Sequence, residues 1–142
     1  MRRIIRAIRN IIYEIKKFIQ RGKRGWAYSD VWNMDVWFME IIPQMLQHLK
    51  NNHAGHPVYD INDSDENNDG KYKYYLNRMT YLLEEMDEEK CSQKNEYFDE
   101  ENMKFIDKDA FVTRQEEIDA YRNKCKDEFF KLFSEHFYEL WD

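Results

Sequence analysis

Residues 4–19, IIRAIRNIIYEIKKFI, decide the class of fold because their apolar positions recur with the period of an α-helix. At about 100° per residue, the Ile and Phe side chains fall within one arc of about 140°. They are Ile4, Ile5, Ile8, Ile11, Ile12, Ile15, Phe18 and Ile19. Basic residues, among them Arg6 and Arg9, occupy the opposite side. We therefore predict a basic amphipathic helix over residues 3–20, ended by Gly22 and Gly25.

The remaining chain predicts three further helices. One covers residues 30–50, with Ser29 or Asp30 as a plausible N-cap and Pro43 as a kink. Another covers residues 71–87, after a polar, acidic loop. The last covers residues 114–140, where TRQE from Thr113 is a capping box. We expect an all-α, compact single-domain bundle of about four helices over residues 1–142, with an irregular segment at 87–112 before the last helix.

Composition and charge agree with helices and leave the role of the first one open. Four Gly and two Pro are few for an all-β protein of 142 residues. Residues 1–25 carry nine Lys/Arg and one acid, whereas the other 117 carry 13 Lys/Arg and 27 acids. Such asymmetry can mean a basic arm for nucleic acid or an anionic membrane. We favour a basic helix docked on an acidic body, its Ile-rich face being a core face.

Cysteine use and hydropathy bear on the compartment. Cys91 and Cys125 stand 34 residues apart without a C-x-x-C motif, which suits two ordinary thiols in a reducing compartment. Charged residues interrupt the first apolar stretch, unlike in a signal peptide, and no run of about 18 apolar residues predicts a transmembrane segment. We expect a cytoplasmic protein.

One acid stands out on the second helix. Asp35 lies about 160–180° from the wet face formed by Asn33, Glu40, Gln44 and Gln47, so it is predicted to point into the core. A buried carboxylate needs a donor, and His136, at the middle of the last helix's apolar arc, is one candidate. Arg6, Lys17 or a tryptophan N–H are others. We interpret Asp35 and His136 as structural polar core residues and Asp30 as a helix-starting acid, with no catalytic residue assigned.

Exposed aromatics are the candidate binding residues. Trp37 falls near the wet face of the second helix, and Tyr74 and Tyr81 lie on the polar side of the third. Rimmed by Arg6 and Arg9, such aromatics could hold a nucleotide. Alternatively, residues 87–112 pack over them.

Two motifs resemble metal sites. DENNDG places Asp65, Asn67, Asp69 and Gly70 as in the first half of a calcium loop, but the twelfth position is Leu76 instead of a bidentate Glu. His48, His53 and His56 have ligand-like spacing without a fourth ligand nearby. No phosphate-binding loop or catalytic signature is present. We expect no metal and no cofactor.

The stretch GWAYSDVWNMDVWFMEIIPQMLQHLKNNHAGHP, residues 25–57, resembles a group of small, functionally uncharacterised proteins encoded by tailed bacteriophages. The shared positions are Gly25, Trp26, Asp30, Trp32, Asn33, Met34, Asp35 and Pro43. YLNRMTYLLEEM and the closing FFKLFSEHFYELWD are similar to the same group. Relatives often carry Tyr where this chain has His136.

This resemblance implies a setting and no specific activity. It implies a non-catalytic accessory protein in the host cytoplasm that modulates or antagonises a host factor or defence system by stoichiometric binding. The partner would be a host protein or a sequestered nucleotide signal, with nucleic acid disfavoured. A metal-assisted hydrolase using Asp35, His136 or the histidine group is one alternative, and a minor virion or packaging component is another.

Overall fold

The protein is described by a computed structural model that covers residues 2–99 and 101–141. Four helices dominate it, together with a two-stranded hairpin and two short 3-10 turns. The helices are α1 (Arg2–Arg24), α2 (Met34–Asn52), α3 (Asp65–Met86) and α4 (Lys108–Glu135). The strands are β1 (Phe98–Asp99) and β2 (Lys104–Phe105), and the 3-10 turns are Tyr28–Val31 and Phe137–Glu139. The predicted all-α class and its four helices are confirmed.

The chain divides into two compact units, where we expected one domain. The N-terminal unit is Met1–Phe38 and the C-terminal unit is Met39–Asp142, with the division inside α2. The N-terminal unit carries nine Lys/Arg against three acids, a net charge of +6, and the C-terminal unit 13 against 25, a net charge of −12. The charge asymmetry of the sequence is therefore an asymmetry between the two units.

The N-terminal unit joins α1 to the turn that follows it. Gly25 follows the last residue of α1; its φ of 81° suits a residue without a side chain, and its N–H donates to the Arg21 carbonyl at 2.8 Å. The guanidinium of Arg21 also donates to both carboxylate oxygens of Asp30, at 2.7 and 3.0 Å. This bidentate pair fixes the 3-10 turn against the end of α1.

The face of α1 that we expected in a core is exposed. Its Ile and Phe side chains keep between 47% and 79% of their surface accessible. Periodicity defines an apolar face, but it does not say what covers that face. The prediction of a core face is wrong for this helix.

The C-terminal unit has its core where α3 packs against α4. The core side chains are Leu46, Tyr72, Leu76, Met79, Leu82, Leu83, Cys91, Ile118, Cys125 and Phe129. Outside the core, Arg78 on α3 donates to both oxygens of Glu128 on α4, at 2.8 and 2.9 Å. Apolar stripes thus pack together, and a bidentate ion pair fixes how the two helices lie beside each other.

Three helices begin several residues from the predicted position, and α1 and α4 end at Arg24 and Glu135 instead of residues 20 and 140. α2 begins at Met34 instead of residue 30, because Asp30 serves the preceding 3-10 turn. α3 begins at Asp65 instead of residue 71, because the Ser64 hydroxyl accepts from the Asn67 N–H. α4 begins at Lys108 instead of residue 114, because Asp107 caps it, and it ends at Glu135. The Asp30 side chain thus serves the turn before α2, and the caps of α3 and α4 lie several residues earlier than the predicted starts.

The segment between α3 and α4 is irregular as expected, apart from the hairpin. Phe98 pairs with Phe105 across the strands, with ring centroids 5.2 Å apart. Phe105 also lies 5.0 Å from Phe111 on α4. These three aromatics attach the segment to the first turns of α4.

Candidate functional site

An apolar groove of about 540 Å³ opens on the C-terminal unit. Its lining is mostly aliphatic and aromatic. The lining residues are Ile41, Ile42, Gln44, Met45, Leu46, His48, Leu49, Phe133, Leu140 and Trp141. Open concavities that are lined by apolar side chains with a few polar groups are the usual form of binding sites.

One wall of the groove is a stripe of α2. Ile41, Ile42, Met45, Leu46 and Leu49 recur at the spacing that places side chains on one helical face. Leu46 is buried beneath this stripe, whereas Met45 keeps 60% of its surface exposed. The floor is therefore part of the core, and the rim is available to a ligand.

The other wall is held in place by three contacts, two of them at Trp141. The hydroxyl of Tyr72 donates to the Trp141 carbonyl at 3.1 Å. A Cβ on Gly55 would lie 3.2 Å from Cζ3 of the Trp141 ring, so the indole packs closely because this position is glycine. Phe133 stacks on the buried Phe129 with centroids 5.4 Å apart. The aromatic wall is thus anchored before any ligand arrives.

The groove carries little chemistry of its own. Its polar side chains are Gln44 and His48, both exposed, and no acid or arginine is among its lining residues. Around it, the unit has a net charge of −12. The arrangement can bury apolar side chains and attract a basic partner, and it lacks a nucleophile held by a base.

The two predicted tyrosines lie elsewhere on the same unit. Tyr74 and Tyr81 are exposed, and Arg78 lies between them on α3, its guanidinium 5.2 Å from the Tyr81 ring centroid. Because Arg78 is engaged by Glu128, it does not present a free cation beside the rings. Tyr81 instead exchanges a hydroxyl contact of 3.3 Å with Tyr121.

The other predicted binding residues belong to the N-terminal unit. Arg6 and Arg9 line a depression of about 460 Å³ with Ile5 and Asn10, and no aromatic is among its lining residues. Trp37 is half-buried, between the exposed and the covered positions that the sequence left open. A nucleotide site requires free arginines beside an exposed aromatic ring. Neither the tyrosines of α3 nor the residues around Arg6 and Arg9 provide this combination.

The prediction that Asp35 is buried in the core is wrong. Asp35 is exposed in the first turn of α2, where a carboxylate is favoured by the helix dipole. His136 pairs with Glu139 at 2.5 Å and stacks on Tyr75 with centroids 4.0 Å apart. The buried acid of the N-terminal unit is Asp30, which accepts hydrogen bonds from Arg21, Ala27 and Ser29.

A second buried carboxylate, Glu85, escaped the sequence analysis. It accepts from the Ser92 N–H at 3.1 Å and from the Ser92 hydroxyl at 2.7 Å. Burial raises its pKa, but these donors, with Tyr121 and Cys91, outweigh burial and hold the pKa below its usual value. Fully hydrogen-bonded and enclosed, Glu85 has a structural role, tying the end of α3 to the chain after it.

Residues of the two motifs that resemble metal sites form hydrogen bonds and ion pairs with other protein groups. His53 contacts the Leu49 carbonyl and Asp69 through its two ring nitrogens, at 3.0 and 2.7 Å. His56 likewise contacts the Pro57 carbonyl and Asp65. Asp65 to Gly70 form the start of a helix and not a loop. Among the described residues, no group of three or more His, Cys, Asp or Glu side chains is placed to hold a metal.

Comparisons with known proteins do not assign the chain to a family. No protein-family model matches the chain, and neither the curated proteins nor the solved structures give a significant match. In the part of the chain that the structure describes, no helix is both long and apolar enough to cross a membrane.

The groove was not predicted from the sequence, although one of its two walls could have been. The α2 stripe can be found from its helical spacing. What the sequence does not show is that Leu140 and Trp141 return to that stripe from the other end of the unit.

Proposed function

We propose that this is a non-catalytic binding protein that engages a partner protein through the apolar groove of its C-terminal unit. The observation that carries the proposal is the groove itself: an open, aromatic-walled concavity on an acidic unit, with Gln44 and His48 as its polar lining residues and no carboxylate, arginine, lysine, serine or cysteine among them. Apolar burial in such a groove supplies affinity, and charge supplies steering.

The chemistry of the groove selects the kind of partner. About two turns of α2, residues 41–49, form one wall, which suits a short amphipathic helix that lays apolar side chains into the groove. A unit with a net charge of −12 attracts a basic segment and repels an acidic one. The proposed ligand is therefore a basic amphipathic helix of another protein.

The biological setting comes from the resemblance to small tailed-phage proteins. In that setting the partner is a host protein, and the outcome is modulation or antagonism of a host factor or defence system in the host cytoplasm. A protein partner is preferred to a nucleotide signal because the groove lacks arginines, while Arg78 beside Tyr81 is engaged by Glu128.

The test compares two variants that add the same charge. Met45→Glu places a carboxylate on the rim of the groove, whereas Ile61→Glu places one at a site that is 90% exposed and outside the groove lining. Tagged full-length protein is used for affinity capture from the bacterial host, and the captured protein is then purified and titrated. We expect binding near one to one for the wild type and Ile61→Glu, and at least about tenfold weaker binding for Met45→Glu.

Two results would overturn this proposal. One is a captured partner that binds Met45→Glu as tightly as the wild type, which would place its site elsewhere. The other is inactivation of the host factor by far less than one equivalent of the protein, because that requires turnover.

A further inference from the structure

The apolar face of α1 is a second exposed apolar surface, formed by residues other than those that line the groove. It consists of eight large side chains, each at least 47% exposed. They are Ile4, Ile5, Ile8, Ile11, Ile12, Ile15, Phe18 and Ile19. Scattered surface hydrophobics need no explanation, but a continuous face of this size marks an interaction site.

Basic side chains border this face. On the helical wheel Lys16 and Arg9 lie about 20–40° beyond one edge, and Arg3 lies about 60° beyond the other. Long basic side chains at such positions pack their stems along an apolar layer while their charged groups reach outward. Residues 2–24 hold nine Lys/Arg and one acid, Glu14, which is paired with Lys17 at 3.1 Å.

Exposed aromatics follow the helix directly. Trp26, Tyr28 and Trp32 keep 40%, 63% and 88% of their surface accessible. The Arg24 guanidinium lies 3.8 Å from the Trp26 ring centroid and 4.0 Å from that of Tyr28. Trp and Tyr beside basic residues are typical of segments at the boundary between lipid and water.

We propose that α1 lies in the plane of a membrane surface that contains anionic lipid, with its Ile face at the acyl boundary and its basic side chains on the lipid phosphates. The helix would then lie along the surface for about 35 Å, given about 1.5 Å per residue. A strongly amphipathic, basic helix with low overall hydrophobicity is the form that binds membrane surfaces without crossing them.

Charge distinguishes this occupant from a second copy of the helix. Pairing the Ile faces of two α1 helices would bring together two segments that each carry a net charge of +8. An anionic membrane offers the opposite charge and a continuous apolar layer, so the face needs no matching shape.

The test measures binding of the full chain to lipid vesicles by sedimentation. Vesicles of neutral phosphatidylcholine are compared with vesicles that also contain about 30% phosphatidylglycerol. We expect at least about tenfold stronger partitioning onto the anionic vesicles, and a steep loss as salt is raised. Inorganic phosphate in solution is included as a competitor and should not displace the protein.

A pair of matched double variants separates the apolar face from the rest of the helix. Ile8→Gln with Ile15→Gln changes the centre of the face, whereas Asn10→Gln with Tyr13→Gln places the same residue type on the opposite side. Neither pair changes the charge, and Gln is a good helix former, which circular dichroism verifies. We expect the first pair to weaken vesicle binding at least about tenfold and the second to change it less than about twofold.

Several outcomes would overturn the proposal. They are absence of vesicle binding, equal binding to both lipid compositions, equal effects of the two double variants, and displacement by free phosphate. A dimer that only the Ile8/Ile15 variant disrupts, without vesicle binding, would instead assign the face to a second copy. Met45→Glu should leave vesicle binding unchanged, so failure of the groove proposal and failure of this one can be told apart.

Discussion

The hydroxyl of Tyr72 donates a 3.1 Å hydrogen bond to the backbone carbonyl of Trp141, 69 residues further along the chain. Tyr72 is 1% exposed at the start of α3, whereas Trp141 forms the outer wall of the apolar groove. The core of the C-terminal unit thereby positions a surface that is available to a partner. Stability of the core and geometry of the groove are coupled through this contact.

Tyr72→Phe should therefore lower stability and loosen the groove together. Removing the hydroxyl leaves the Trp141 carbonyl without this donor, and we expect a loss of about 1 kcal/mol in the free energy of unfolding. Urea unfolding followed by far-ultraviolet circular dichroism measures it. Tyr138→Phe is the control, because Tyr138 is 91% exposed and its hydroxyl should contribute little. Equal effects of the two variants would show that the Tyr72 hydroxyl does not hold the end of the chain.

The helices could be predicted because their apolar residues repeat with a period near 3.6, and this holds for all four. Their boundaries were less predictable. Ser64 and Asp107 are the caps that α3 and α4 use, and two charged residues directly follow each of them. A cap residue is recognisable in a sequence only when a periodic stripe follows it closely.

Burial was predicted least well, since it depends on contacts between distant segments. The helical wheel placed Asp35 opposite Gln44 and therefore in a core, but the first turn of α2 presents Asp35 to solvent. Glu85 is buried although its neighbours Glu84 and Asp87 are also acidic. Local sequence does not distinguish Glu85 from Glu84, and the Ser92 donors that stabilise it come from a later turn.

Asp30 should make the N-terminal unit sensitive to acid. The Arg21 hydrogen bonds, followed by the Ala27 N–H and the Ser29 hydroxyl, hold the pKa of Asp30 far below its usual range despite burial. A carboxyl with a lowered folded pKa contributes stability that is complete above its unfolded pKa, near 3.9, and is lost as the pH falls further. The Ala27 amide donates to Asp30 at 2.8 Å, so its chemical shift reports protonation of the Asp30 carboxyl.

We expect the Ala27 amide signal to titrate well below pH 3.9, and hydrogen exchange at this amide to accelerate in Asp30→Ala. The loss of stability should be about 1–2 kcal/mol, because Arg21 is half exposed and solvent weakens the ion pair. An Ala27 signal that titrates at the ordinary carboxyl pKa would contradict the bidentate pair with Arg21.

Glu85 and Glu84 provide a matched comparison within one turn of α3. Glu85→Ala leaves the Ser92 N–H and hydroxyl without their acceptor, so we expect a loss of about 2–3 kcal/mol at neutral pH. Glu84→Ala removes an exposed acid and should stay within about 0.5 kcal/mol of the wild type. Urea unfolding at pH 7 measures both, and similar values for the two variants would refute the structural role of Glu85.

Acid should reduce the difference in the free energy of unfolding between Glu85→Ala and the wild type. The folded pKa of Glu85 lies below its usual value, so its contribution is complete above an unfolded pKa of about 4.3 and declines as the pH falls below it. The gap between Glu85→Ala and the wild type should therefore narrow between about pH 4 and pH 2. A gap that widens on acidification would mean that Glu85 is protonated in the folded protein.

Asp35 and His136 supply the last prediction, because the structure gives them separate environments. Asp35→Ala removes an exposed carboxylate from the first turn of α2 and should cost no more than about 0.5–1 kcal/mol through the helix dipole. His136→Ala removes the bond to Glu139 and the stacking on Tyr75, and should cost about 1–3 kcal/mol. Since Asp35 is exposed and His136 contacts Glu139 and Tyr75, the effects should add to within about 0.5 kcal/mol in the double variant. Urea unfolding of the four proteins in this cycle measures the coupling. A coupling above about 1 kcal/mol would show that the two residues interact, as their helical positions first suggested, and the exposed position of Asp35 would then have to be revised.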